Sequence, residues 1–220
     1  MDFFGTLVKY YRQGGIVMHF LLVLSIAGVT VFIERLITLG KAKINVAHFL
    51  TNLRKVLIQN RDIDAAIKVC ERYKGPVASV VKAGLLKYGE PKEEIEKAIE
   101  SAAVYEMGRL EKFLIVLASV ANVGPLLGFL GTVTGMIKSF DALAKAGLSN
   151  PALVAQGISE ALITTAAGLF IAIPMQLAYN YFTSRINKFV RDIETSSNIL
   201  METLAEIDKG KASEGNVLGS

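Results

Sequence analysis

The sequence has one cysteine and two histidines, and charged residues make up only 20% of its 220 positions. The lone thiol, Cys70, cannot close an internal disulfide. It lies in the stretch Ile67-Lys68-Val69-Cys70-Glu71-Arg72, with no histidine or second cysteine at ligand spacing, so it reads as structural rather than as a zinc or redox centre. The formal net charge of +4 is too small and too dispersed to track a nucleic-acid backbone. No catalytic triad pattern and no metal cluster is present. The glycine-rich stretch at 124–135 lies inside an apolar run and lacks the Gly-Lys-Ser/Thr ending of a phosphate loop. These absences argue against an enzyme, and no cofactor, metal or nucleic acid is expected.

What the sequence has instead is apolar residues, 52% of the chain, collected into runs. A soluble protein spreads such residues along amphipathic elements, whereas membrane spans gather them into stretches of about 20. The first run, residues 16–33, lies between Arg12 and Glu34-Arg35 and would rise about 27 Å, close to the ~30 Å hydrocarbon core. Ser25-Ile26-Ala27 resembles a cleavage site, but the apolar sequence continues past it for longer than a signal core does, so an uncleaved helix is expected. The second run, residues 113–137, contains no charge, and the third, residues 158–182, contains only Glu160. Both are long enough to cross with tilt. The expected class is therefore all-α, a polytopic membrane protein with three transmembrane helices and long helical extensions.

Basic residues give an orientation. Most of the 24 lysines and arginines fall in residues 34–112, several close to span ends, and Arg185, Lys188 and Arg191 open the tail at 183–220. The first stretch, 1–15, has only Lys9 and Arg12, and the loop at 138–157 only Lys138 and Lys145. The positive-inside rule then places residues 1–15 and 138–157 outside, and 34–112 with the tail in the cytoplasm. Gly147 and Asn150-Pro151 predict a turn in the outer loop.

Residues 44–112 read as helical, with Phe49, Leu53, Val56 and Leu57, then Ile63, Ala66, Ile67 and Cys70, at helical spacing. Gly75-Pro76 and Gly89-Glu90-Pro91 interrupt them. The helix opened by Lys92-Glu93-Glu94 meets no breaker before Phe113 except Gly108, which predicts one rod running on into the second span. The tail helix, about 181–209, bears the same relation to the third span. The polar, glycine-rich ending from Gly210 predicts little fixed structure.

Polar residues inside the spans are the candidates for function. The second span holds Asn122, Thr132 and Thr134 among Gly124, Gly128, Gly131 and Gly135, whose four-residue spacings let helices approach closely. Pro125 removes one backbone hydrogen bond. In the third span Glu160 and Thr164 face one way, while Thr165 lies about 100° further round beside Ala161 and Gly168, with Pro174 beyond. Glu160 is either a carboxylate near the interface, hydrated or paired with a base, or one facing protein or a water-filled path. The threonines either bond their own helix carbonyls or hydrate such a path. Neither ionises, so the titrating group of a proton path need not be in this chain.

Leu127-Gly128-Phe129-Leu130-Gly131-Thr132-Val133-Thr134-Gly135-Met136, and Gly157-Ile158-Ser159-Glu160-Ala161-Leu162-Ile163-Thr164-Thr165-Ala166-Ala167-Gly168-Leu169 continuing to Ile173-Pro174 and Tyr179-Asn180, resemble the second- and third-span motifs of the MotA/TolQ/ExbB proton-channel family. The likeness extends to Ile33-Glu34-Arg35 and the helical segment after it. Three spans suit the ExbB and TolQ branch, ExbB above all; MotA-type stators have four. The resemblance implies a homopentamer in the inner membrane whose second and third spans surround helices of an ExbD-like single-span subunit, each bringing a proton-binding aspartate. It also implies a TonB-like protein that transmits the work. By matching position it implies that Thr132 and Thr165 lie near the partner's aspartate and that Glu160 is the pore carboxylate. Gly128, Gly131, Gly135, Gly168 and Pro174 would then serve helix packing. Asn122 has no counterpart, and a second threonine at 134 departs from the usual bulky residue. A TolQ-like subunit, a Na⁺-driven relative and a non-conducting scaffold remain as alternatives.

Overall fold

The computed structural model describes residues 3–60, 62–146 and 151–217, which among them form eight α-helices and no strand. In order these are α1 (Phe3–Gln13), α2 (Val17–Lys41), α3 (Val46–Lys55, prolonged by a π-helical turn over Val56–Asn60), α4 (Ile63–Arg72), α5 (Pro76–Leu85), α6 (Lys92–Glu111), α7 (Leu114–Ala146) and α8 (Pro151–Val217). Three stretches, in α2, α7 and α8, are long and apolar enough to cross a membrane. The chain divides into two compact units, Met1–Arg35 with Phe113–Phe182, and Leu36–Lys112 with Thr183–Ser220.

The first unit holds the apolar parts of α2, α7 and α8. Helix α2 buries Val17, Leu21 and Arg35 on one face and leaves Phe20, Val23, Ile26 and Ile33 exposed. That pattern is the reverse of a soluble bundle, because apolar side chains this numerous on the outside need lipid or other protein to cover them. Gly28 brings α2 close to Met175 of α8 and Val120 of α7, leaving no room for a larger residue without moving the Met175 sulfur.

The second unit is a water-soluble type of core. Helix α5 is at its centre, with Val77, Ala78, Val80, Val81 and Leu85 all buried. Around it pack Phe49, Leu53 and Leu57, then Ala66 and Cys70, Ile95 and Ile99, and Leu200, Leu204 and Ile207 from the tail of α8. Helix α5 is apolar on nearly every side yet only 10 residues long, so it suits a core and not a span. Local signals set its neighbours. Asn45 and Asp62 cap α3 and α4 by accepting from the His48 and Ala65 amides at 3.1 and 2.9 Å. Pro76 takes the first turn of α5, where its missing N–H costs nothing. Gly89, at φ 96°, ends the segment before α6 as the breaker pattern predicts.

One expectation is corrected. Helices α6 and α7 are not a single rod: Lys112 is extended (φ −49°, ψ 133°) and Phe113 has a positive φ of 67°. A new helix starts there, with the Val116 amide donating to the Phe113 carbonyl at 3.0 Å. A left-handed phenylalanine costs about 1–2 kcal/mol. Part of the compensation is visible, since the Arg35 guanidinium lies 5.7 Å from the Phe113 ring centroid, a contact worth roughly 0.5–2 kcal/mol. Arg35 is only 2% exposed and is held by Glu34 through bonds of 2.5 and 2.6 Å. No glycine or proline marks 112–113, and Gly108, the one suspect residue, stays helical. At the other junction the expected continuity holds, since α8 passes Phe182 without a break. It also runs on to Val217, further than the glycine-rich ending suggests. Of the expected loop turn, Gly147 and Asn150 lie outside the described residues, and Pro151 opens α8.

Burial pushes the Cys70 thiol up to about 12, the apolar surroundings disfavouring thiolate more than the nearby Lys82 ammonium favours it. The thiolate is the reactive form, and its fraction at pH 8 falls roughly a thousandfold below that of a thiol at the ordinary value. Maleimide should therefore label Cys70 at least about a thousandfold more slowly in the native chain than in the SDS-unfolded one. Equal rates would mean that this core is not formed.

Candidate functional site

The polar residues of the second and third spans sit on and beside a seam made of small side chains. From residue 124 onward the buried positions of α7 are Gly124, Gly128, Gly131, Gly135 and Ser139, spaced by three and four so that they share one helix face. Those of α8 as far as residue 172 are Gly157, Ala161, Thr164, Gly168 and Ala172. The two rows run antiparallel: Gly124 faces Gly168 and Ala172, Gly128 faces Thr164 and Thr165, and Gly135 faces Gly157 and Ala161. A methyl group on Gly135 would lie 2.7 Å from the Gly157 carbonyl oxygen and 2.9 Å from the Ala161 methyl, and one on Gly131 would overlap the Thr164 hydroxyl. The backbones are thus as close as the seam permits.

Hydroxyls fasten this seam. Thr165 Oγ1 donates across it to the Gly128 carbonyl at 3.1 Å and shares the same proton with Ala161 of its own helix at 3.2 Å. Ser139 Oγ reaches the Val154 carbonyl at 3.0 Å and the Gly135 carbonyl at 3.1 Å. Thr164, fully buried, donates within α8 to Glu160 and Ala161 carbonyls at 3.0 and 2.9 Å. Thr132, half-buried and one residue off the seam, donates to the Phe129 carbonyl at 2.6 Å. Thr134 bonds the Gly131 carbonyl at 3.1 Å, and Asn122 is exposed. In every case the hydroxyl proton goes to a helix carbonyl.

Glu160 lies at the end of the seam. Its Oε1 accepts from Lys138 Nζ at 2.5 Å, and its side chain is only 12% exposed. The carboxylate also presses on the α1–α2 turn, where a side chain at Gly15 would collide with Oε1. Gly15 has φ +64°, so that position excludes other residues both by conformation and by space. A carboxylate beside the amino end of α2 is further favoured by the helix dipole. Glu160 thereby ties the α1–α2 turn, α7 and α8 together. Sequence reasoning counted Lys138 only as an orientation charge. Antiparallel pairing of the two glycine rows, which sets 135 against 157 and 161, is the signal that puts 138 beside 160.

Of the residues singled out in the sequence, Gly128, Gly131, Gly135, Gly168 and Thr165 meet in the seam, and Glu160 closes one end. Thr132 is beside it, and Pro174 lies on the exposed side of α8.

Residues 72–195, more than half of the chain, match the MotA/TolQ/ExbB proton channel family. The chain belongs to this family. Its relatives include a putative biopolymer transport protein ExbB homolog of Methanothermobacter thermautotrophicus, 29% identical over 88% of this chain and 69% of that protein. An ExbB-like protein of Synechocystis is 32% identical over 78% of this chain and 82% of its own length. The Tol-Pal system protein TolQ of Haemophilus influenzae is 44% identical, but over 44% of this chain and 42% of its own. None of these names is that of an enzyme. Membership of the MotA/TolQ/ExbB family and the three apolar helices make the chain an integral membrane protein.

The seam makes a comparative prediction. Gly131→Ala should destabilise the chain by about 1–3 kcal/mol, because overpacking must separate α7 from α8. Gly108→Ala, with nothing within 4 Å of the added methyl, should be neutral or stabilise by up to about 1 kcal/mol. Thermal melts of the detergent-solubilised variants decide this, and equal melting points would remove the seam from the account.

Proposed function

We propose that the chain is the channel-forming stator subunit of an inner-membrane, proton-driven motor that turns the proton motive force into work across the periplasm, as an ExbB-like protein. The observation that carries this is the placement of Thr132, Thr165 and Glu160 along the junction of two apolar helices, in a member of a proton channel family. An apolar span retains such groups at a cost unless they meet protein, water or an ion. In this reading several copies, most simply a closed ring of five, surround the helices of an ExbD-like subunit, and a TonB-like protein takes up the work. The partner's carboxylate carries the proton, with Thr132 and Thr165 lining its route. A TolQ-like assignment differs only in the partner served, and a Na⁺-driven relative only in the ion.

Thr132→Val and Thr165→Val keep shape and remove the hydroxyl. With the partner coexpressed, each should lower proton-coupled transport at least about tenfold while the ring still assembles by native mass spectrometry. Normal transport in both, at normal expression, returns the threonines to packing alone, and normal assembly with no proton flux in the unmodified complex supports the scaffold alternative.

A second reading of Glu160 is favoured by its bond to Lys138: the carboxylate is a tie between helices and not a proton carrier. Glu160→Gln and Lys138→Met should then each cost about 1–3 kcal/mol of stability, with the double variant costing little more than either alone. Transport should fall less than in the threonine variants. Full loss of transport in Glu160→Gln with unchanged stability would assign the carboxylate to proton transfer.

Orientation is tested with new cysteines, because the buried Cys70 resists reagents from either side. In a Cys70→Ala background, Gly147→Cys should react with an impermeant maleimide in intact cells. Tyr105→Cys, at an exposed position, should react only after permeabilisation. The opposite pattern would reverse the proposed topology.

A further inference from the structure

The second unit contains a cavity of about 430 Å³ whose charged lining is mostly cationic. Lys43, Arg185 and Lys188 converge on it, against a single carboxylate, Asp192. Lys43 comes from the turn after α2, and the other two come from successive turns of α8. Lys43 and Lys188 are exposed, and neither enters an ion pair among the described residues. Lys43 and Lys188 face one hollow beside Arg185, and the repulsion between like charges there is relieved when an anion occupies it. The opening turn of α3, at Val46, also lines the cavity and adds the partial positive charge of a helix amino end. Ile44 and the buried Phe189 add an apolar wall, beside the polar Asn45.

We propose that this cavity binds a phosphate-bearing anion, and that its occupant is the headgroup of an anionic phospholipid. The mixture of cations with an apolar wall suits a phosphodiester that continues into glycerol and acyl carbon. Position along the chain points to the membrane as the source. Arg185 and Lys188 follow the last residue of the third apolar run, Phe182, by three and six residues. Along a helix that is about 5–9 Å, the depth of the headgroup layer outside the hydrocarbon. Basic pockets at this level are a recurrent way of holding acidic lipid. The proposal is independent of the ion path and survives if the threonines prove to be packing residues.

The test uses the full-length chain, purified in mild detergent, stripped of lipid and titrated with dioleoyl phosphatidylglycerol, dioleoyl phosphatidylcholine or inorganic phosphate under native mass spectrometry. Phosphatidylglycerol should bind saturably, one per chain, and phosphatidylcholine should not. Each lysine near an anionic headgroup contributes about a fivefold gain in affinity, so K43Q/K188Q should weaken phosphatidylglycerol binding roughly 25-fold. Both lysines are exposed, which leaves the fold intact, and K43R/K188R should restore binding. K9Q/K145Q removes the same charge elsewhere and should change nothing. Inorganic phosphate that binds with the same dependence on Lys43 and Lys188, while phosphatidylglycerol does not, would overturn the lipid as the source and leave a soluble phosphate site. Equal binding of both lipids, or no loss in K43Q/K188Q, would overturn the site altogether.

Discussion

The contact on which the membrane unit depends is backbone against backbone, where the glycines of α7 meet Gly157, Ala161 and Gly168 of α8. In lipid the hydrophobic effect does little to hold two helices together, since tails are as apolar as leucine. Close packing and carbonyl-directed hydrogen bonds must supply the difference. Both require that side chains be absent where the helices cross, which is why the residues with the least chemistry are the least replaceable. The bond from Thr165 to the Gly128 carbonyl exists only because Gly128 presents bare backbone. Glu160 in turn is placed by the same register, about three turns into α8 and opposite Lys138 of α7.

The second unit is held by other means. Its core of valine, leucine and isoleucine around α5 is of the ordinary water-driven kind, with side-chain caps on α3 and α4, a bond from Arg109 to the buried Glu106, and otherwise exposed salt bridges such as Lys82–Glu71. Those pairs add little to stability. Glycine serves both units differently: in the spans a row of them allows backbone contact, while in this unit Gly84 admits Ile99 and Leu200 against α5 and Gly89 ends a segment.

Much of this was legible in the residues. Run length and hydropathy located three spans because the bilayer imposes one length on any helix that crosses it. The breakers at 75–76 and 89–91 were legible because glycine and proline act locally. The glycine spacing foretold a close helix pair, and the seam uses those positions. Two features were not legible. The break at Phe113 lacks a breaker residue, and the Arg35 guanidinium that packs on its ring is distant in sequence. The Lys138–Glu160 bond follows from how two helices pair, which single-helix periodicity does not encode. The exposed position of Pro174 follows from six residues not being a whole number of helical turns, which carries it off the face of α8 that holds Gly168.

Thr132 and Thr165 have each given their one hydroxyl proton to a carbonyl oxygen, and what they offer to anything else is lone pairs. A surface of that kind distinguishes between states of a visitor. An ionised carboxylate brings only acceptors and finds nothing to bind, whereas the same carboxyl bearing a proton, a water molecule turned hydrogen-first, or a bare cation is received. In the proposed ion path the helices would therefore act as a passive filter by polarity, set by bonds made when the chain folded, welcoming a carrier while loaded and releasing it once empty.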